Sequence, residues 1–458
     1  MKTRQRLASL LSFLILAAWI GPSGLTASRV SAADDASAPP EIGGWVEIST
    51  AEQLAYVSAN HAPYLDRNIR LMNDIDMSNY DHWTPIGGND FPGFSGTFDG
   101  RGYDITGITL QDGTLENAGF MGEVSGTIEN LGVYANIVGG QQAGAMAGWL
   151  NGGTIRYSHS GGSVTGDRAG VSYNATGGLI GNSNNSSILH SYSTASAASG
   201  ASPNMYAGGL IGSQGRGSIL HSYAIGSVTN SGGYSVWASI RNGGLSGDLL
   251  FGTARDSYAA GPVSTVDEGV ITNFIIAGGL LASTGFDAKS FNSYYDREAT
   301  GQAEGIHAAS GTVNEAFGRT TAEMKSPAAY ADWDFENVWN IHPSVNNGYP
   351  YLRPAVLTAE LPDAVAGEPY AAPLSLFDGT EQGLTLQTAG LPDGLEAGND
   401  RVLRGVPVHP GIYTISITVT DAAGASAAAD LALTVGERAP LPDGFADTVR
   451  WYRNARWL

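Results

Sequence analysis

The chain has 458 residues, no cysteine, and 43 acidic against 23 basic side chains, a formal net charge of −20. That length has room for two or three domains with real cores. The lack of thiols excludes disulfides and thiolate metal sites, and the acidity argues against nucleic acid or anionic lipid as a partner.

At the start, Lys2, Arg4 and Arg6 precede the apolar run LASLLSFLILAAWI, and Val30-Ser31-Ala32 closes it with small residues. This is the layout of a secretory signal peptide over residues 1–32. Its apolar run falls short of the ~20 residues a membrane span needs, so no membrane span is expected in the mature chain. Export without cysteine fits a bacterium that relies on domain size rather than disulfides. Residues 33–44 read as a linker. STAEQLAYVSANH at 49–61 then predicts a helix opened by a capping box, Thr50 with Gln53 reaching back. It is placed to cover the first coil of a stack whose open strand edge invites aggregation. NIRLMNDIDM (68–77), WTPIGG (83–88) and GFSGTFDGRGYDITGITL (93–110) read as early, irregular coils.

A repeat follows. Taking the second position of GGLIG-like segments as its mark, the series is Gly119, Ala145, Gly178, Gly209, Gly244 and Gly279, spaced 26 to 35 residues apart. After each mark comes a second segment such as ILHSY (188–192 and 219–223), and in most copies a third such as IGSVTN (225–230). Three short β-type segments per unit, separated by Gly, Ser, Asn and Asp, cannot bury an apolar side alone and must stack on their neighbours. The expected fold is a parallel β-helix, rising ~4.8 Å per coil. In the second segment Ile155, Ile188 and Ile219 form one column, and Tyr192, Tyr223, Tyr258 and Tyr294 another. Ser158, Ser191, Ser222, Ser257 and Ser293 form a third. Period-two alternation puts Ile and Tyr on one face and Ser on the other, without deciding which face is inside. The glycines are expected at corners, where φ is positive or the packing excludes a Cβ.

Beyond the repeat, TTAEMKSPAAYADWDFENVWNI (320–341) predicts a second capped helix, Thr320 with Glu323, and NNGYPYLRP an aromatic closure of the far end. Residues 355–436 change character. Ile412, Thr414, Ser416 and Thr418 alternate as in a half-buried antiparallel strand, and short strands between regular turns suggest a β-sandwich. The fold class is thus all-β: a parallel β-helix with capping helices over 45–354, a small antiparallel β-sandwich over 355–436, and a tail over 437–458.

The block FSGTFDGRGYDI, the GGLIG repeats, the I-x-x-S-Y segments and the closing AEM…WDF…VW…NGYPYL resemble GLUG-motif proteins over roughly residues 45–354. The copies depart at Ala145, Ala282 and His159. The resemblance implies a right-handed β-helix on a bacterial surface protein, related to adhesin repeats. LPDGL, Gly405-Val406-Pro407 and GIYTISITVTD resemble the Ig-like, cadherin-type domains of such proteins, where the module is a spacer or a binding unit. The tail lacks a Leu-Pro-x-Thr-Gly sorting signal. Phe445-Ala446-Asp447 with Trp451 is similar to the opening of an S-layer homology domain, on a segment made basic by Arg450, Arg453 and Arg456. A shortened relative of wall-anchored proteins, secreted and weakly retained, is the expectation there.

Chemistry is sparse. GLUG repeats also occur beside immunoglobulin-A-specific metallopeptidases, but the chain has no His-Glu-x-x-His, and none of its eight histidines has another four residues on. Asp74, Asp76 and Asp99, with Arg101 nearby, are the one carboxylate cluster that a polysaccharide lyase or hydrolase would use. Turn formation accounts for the same residues. His190 and His221 share a column and read as a polar ladder, since a metal needs further ligands. Calcium is the one ion weighed for the sandwich, and Asp363, Asp378 and Asp421 are dispersed for it. Trp45, Trp83, Trp149 and Trp237 are candidates to stack on sugar rings, burial being the commoner fate. The expectation is therefore an extracellular or cell-surface structural protein, with no catalytic residue, no cofactor and no metal. Its partner would be a cell-wall polymer, a glycan or a surface protein. The alternative is a carbohydrate-active β-helix enzyme.

Overall fold

The computed structural model describes residues 38–88, 93–231, 239–266 and 274–438. The signal-peptide segment, the first part of the linker (33–37), Trp237 and the basic tail lie outside them. Three parallel sheets wrap one core: a long sheet that begins near the N-terminus, a seven-stranded sheet and a six-stranded sheet, with one strand per coil in each of the last two. Neighbouring coils keep one register. Ile128, Ile155, Ile188, Ile219 and Ala254 are successive partners, all fully buried. The β-helix expected from the repeat is present.

The marked glycines answer to crowding rather than to φ. A Cβ on Gly178 would lie 2.3 Å from the carbonyl oxygen of Gly209, one on Gly209 2.2 Å from that of Gly244, and one on Gly244 2.1 Å from that of Gly279. Each coil thus turns on backbone pressed against the next coil's backbone.

The facing of the columns differs from the simple alternation. Ile and Ser both point inward, and the tyrosines point outward. The reason is a bend between them. Tyr157, His190, His221, Asp256 and Asn292 stand in one column with φ between +45° and +49°, and a left-handed residue resets the parity of the strand. That bend interrupts the backbone ladder, and the serines bridge the gap. Ser191 Oγ donates to its own coil's Leu189 carbonyl at 2.8 Å and accepts the Ser158 N–H of the preceding coil at 3.3 Å. Ser222, Ser257 and Ser293 repeat this arrangement. The tyrosines stack outside, with ring centroids 4.7 Å apart for Tyr192–Tyr223 and 5.0 Å for Tyr223–Tyr258. His159 takes the tyrosine position one coil earlier, 4.9 Å from the Tyr192 ring.

Both predicted caps form. The helix Ala51–Ala59 begins with the Thr50–Gln53 capping box and buries Leu54 and Val57 in the core shared with Val46, Ile48 and Leu71. Thr320 and Glu323 box the short helix Thr321–Met324. The aromatic segment that follows does not close the far end. It runs back along the side of the stack, where Trp333, Trp339 and Tyr349 cover the tyrosine ladder. Trp333 Nε1 donates to the Asn292 carbonyl at 3.0 Å, and Tyr258 Oη to the Pro350 carbonyl at 2.7 Å. Burying the rings that the bend turned outward is the driving force.

The doubled-back chain then enters a second all-β unit. A four-stranded sheet (Ala364–Val365, Ser426–Gly436, Gly411–Thr420, Thr385–Ala389) faces a three-stranded one (Tyr370–Pro373, Val402–Gly405, Leu395–Ala397). Leu403, Ile415, Ile417, Val419, Leu431 and Leu433 form the core between them. Ile412 stands on the outer face with Thr414, Ser416 and Thr418, and is 81% exposed. The return path sets this sandwich beside the early coils rather than beyond the last one.

Candidate functional site at the junction of the two modules

The strand Thr97–Asp112 carries the FDGRGY segment, and three of its side chains reach the sandwich. Arg101 adopts φ +55° and is 1% exposed. Its guanidinium donates to the carbonyls of Leu374 (3.1 Å), Arg401 (2.7 Å) and Leu71 (3.3 Å). Arg401 returns the contact, donating from Nη1 to the Arg101 carbonyl at 2.7 Å. Both guanidinium groups lie over the Tyr103 ring, 5.6 and 4.8 Å from its centroid, and Tyr103 Oη donates to the Asp400 carbonyl at 2.8 Å. Burial brings the Arg101 pKa down to about 10.

Asp99 stands beside this clamp. Its Oδ1 accepts the Arg101 backbone N–H at 2.7 Å and the Ser375 hydroxyl at 3.0 Å. Asn130 Nδ2 donates to the same hydroxyl at 2.9 Å. Asp99 also occupies one rung of a charged column on the long sheet: Glu47, Arg70, Asp99, Glu129 and Arg156 are consecutive partners. Glu47 pairs with Arg70 and Glu129 with Arg156, at 3.1 and 2.7 Å. Asp99 is left between a cation and a carboxylate. Burial, with a smaller push from Glu129, raises its carboxyl to about 6 against the pull of the Arg101 N–H. A cavity of about 600 Å³ opens here, with Trp45, Arg70, Asp99 and Glu129 on the coil side and Leu361 and Ser375 on the sandwich side. The Arg70 guanidinium lies 5.5 Å from the Trp45 ring centroid.

The junction continues along the stack. Tyr134 and Tyr192 both donate to the Glu381 carboxylate, and Tyr351 donates to Asp421 at 3.1 Å.

Of the three carboxylates weighed from sequence, Asp99 alone lines this cavity. Asp76 accepts the Ser78 N–H at 2.9 Å, which holds its carboxyl below the usual range. Asp74 accepts the Asp104 N–H at 3.0 Å. Asp76 thus stabilises a local turn and Asp74 ties one early coil to the next, and Asp76 is in register with Thr106, further along the strand from Asp99. His190 and His221 meet at 3.2 Å in the bend column, and burial, then His221, lowers His190 to about 4. No group of three or more metal-ligating side chains converges among the described residues. Asp378 accepts from Thr380 and Gly383, and Asp421 from Ala423 and Ala425, as loop caps. Trp83 is buried and donates to the Phe120 carbonyl at 2.9 Å, whereas Trp149 stands half-buried on another flank. Sequence reasoning missed Arg401, Ser375 and Glu381. The available signal was an arginine set between two glycines, Gly100 and Gly102, where a solvated cation has no need of them.

Residues 353–436 match the family described as "Putative Ig domain", and the sandwich is that domain. A stretch of 142 residues, 28% of the chain, is 35% identical to halomucin of Haloquadratum walsbyi; the chain spans 2% of the length of that relative. Among solved structures, the crystal structure of a "putative immunoglobulin A1 protease" from Bacteroides ovatus aligns over 67% of this chain and 91% of its own, at 21% identity and a TM-score of 0.48. No helix among the described residues is long and apolar enough to cross a membrane.

Proposed function

We propose that the chain is an exported cell-surface protein of the GLUG-motif type, whose coils form an adhesive or scaffolding surface for a glycan or protein ligand. The observation that carries this reading is what the chain does with its best acid. Asp99 is hydrogen-bonded to its own backbone and to Ser375, holding two modules together, while outer columns repeat coil after coil along the faces. Such a surface suits many weak contacts rather than one reaction centre. The Ig-domain match and the similarity to halomucin support placement at a surface, as does the signal-peptide layout of residues 1–32. The reading needs no cofactor.

One observation favours a second reading, a polysaccharide lyase or hydrolase. Asp99 and Glu129 are coil neighbours, hence ~4.8 Å apart along the stack, near the ~5–5.5 Å that separates the carboxyl groups of retaining glycosidases. A carboxyl raised to about 6 suits a general acid. A screen of the mature protein on pectins, alginates and cell-wall glycans separates the two. Binding without turnover is expected; turnover abolished by Asp99→Asn would replace the adhesive reading with the enzymatic one.

A further inference from the structure

We propose that a groove on the flank formed by the seven- and six-stranded sheets is a binding site for an uncharged glycan. The proposal rests on the surface-binding reading above and gives it a place and a ligand class. On one wall Trp149, Asn182, Ser213 and Asp248 are successive partners in adjacent coils. On the other, Tyr206 and Arg241 are partners, and the Tyr173 ring lies 6.1 Å from that of Tyr206. The GGLIG corner joins the two walls, and its glycines put no side chain between them. The result is a cleft of about 350 Å³, in the size range of small-molecule sites.

Three features point to a sugar. Trp149, Tyr173 and Tyr206 remain half-exposed, although the described residues bury Trp83, Trp333 and Trp339. Each ring offers an apolar face with a polar tip, which matches the C–H face and hydroxyl rim of a pyranose. Amide and hydroxyl groups of Asn182 and Ser213 recur coil by coil, ~4.8 Å apart, a step comparable to the length of one sugar ring. Two polar atoms at the site also stand enclosed without partners, the Trp149 indole N–H and Arg241 Nε. Such atoms cost free energy unless a ligand satisfies them.

Charge selects the uncharged class. Arg241 donates to Asp248 at 2.9 Å across the cleft and lies 5.1 Å from the Tyr206 ring centroid, so the two charges neutralise each other. The chain's net charge of −20 repels a polyuronate.

The test uses the full exported chain. It is titrated calorimetrically with neutral oligosaccharides (cello-, xylo-, manno- and chito-series) and with oligogalacturonate and alginate oligomers. Trp149→Ala and Asn182→Ala are compared with Ile412→Ala, on the exposed outer face of the sandwich and away from both cavities. At least one neutral series is expected to bind, with a loss of about tenfold or more for Trp149→Ala, a smaller loss for Asn182→Ala and none for Ile412→Ala. Trp149→Ala should keep the wild-type circular dichroism spectrum and melting temperature. If it does not, Asn182→Ala, at an outward position, carries the test. Binding of the acidic oligomers alone, or of no oligosaccharide, overturns the groove. So does neutral binding unchanged in both groove variants; in that case the surface-binding reading survives, because a glycan is held elsewhere. Cleavage of the probe would instead overturn the reading on which the groove rests.

Discussion

The two modules are both all-β, yet they treat polar groups in opposite ways. The coils bury serines, asparagines and glutamines in number, Ser158, Ser191, Ser222, Asn174 and Gln214 among them, while Thr380 and Asp421 are the buried polar side chains of the described sandwich residues. Repetition explains the difference. The bend-column serines show how: each accepts the N–H of its own copy one coil earlier, so each coil satisfies its neighbour. A sandwich has no copy to lean on and must exclude what it cannot pair. Two glycines show two different uses: Gly209 in the coils relieves contact with the next coil's backbone, whereas Gly424 in the sandwich stands in open space and supplies a φ of +88°.

That contrast can be broken from either side. The largest effect is expected for Gly209→Val, whose new side chain would meet the Gly244 carbonyl oxygen at 2.2 Å. Overpacking of this kind costs about 3 kcal/mol or more, and urea titration should show the coils losing cooperativity. Gly424→Ala in the sandwich meets nothing within 4 Å and should cost only about 1–2 kcal/mol, the strain of a left-handed alanine.

Next in size is Arg101→Met, which removes the hydrogen bonds to Leu374 and Arg401. Charge-assisted bonds contribute about 1.5–3 kcal/mol. Calorimetry should then resolve two melting transitions where the wild type melts as one body. Ser222→Ala should cost about 1–2 kcal/mol, leaving the Ser191 N–H without its partner while the Leu220 carbonyl still accepts the His190 N–H. In the Arg101→Met background, where two transitions are expected, the loss should appear in the coil transition alone.

The smallest effect expected is a change in pH dependence. Asp99 is raised from 3.8 to about 6. Its contribution to docking is therefore full below pH 4 and lost as pH rises through about 6. His190 is lowered from 6.5 to about 4, so its contribution is full above pH 6.5 and lost as pH falls toward 4. The two oppose each other between pH 4 and 6.5. Asp99→Asn should expose the histidine's slope, with melting temperature falling more steeply on acidification than in the wild type.

Register, coil count and both helix caps were legible in the sequence because each is written locally and, for the coils, repeatedly. Inside and outside were not. The residues that reset the alternation are a tyrosine, two histidines, an aspartate and an asparagine, with no shared side-chain chemistry to mark a bend. Asn, Asp and His are nonetheless enriched at positive φ, and four such residues in one column were the available signal. The path of the aromatic segment was illegible for another reason. Its target, the tyrosine ladder, faces outward only once the bend is known. Asp99 was legible as a turn former, which it is through the Arg101 N–H. Its second bond, to Ser375, joins parts of the chain that no local pattern connects.

The Ig-like module lies against the side of the early coils, clamped by Arg101, Tyr103 and Asp99. Small-angle X-ray scattering of the mature protein tests this arrangement most directly. A single-peaked pair-distance distribution is expected, with a maximum dimension close to that of the coil stack itself, lengthening in Arg101→Met. A wild-type distribution with a second shoulder, longer by one domain diameter and unchanged in Arg101→Met, would contradict it.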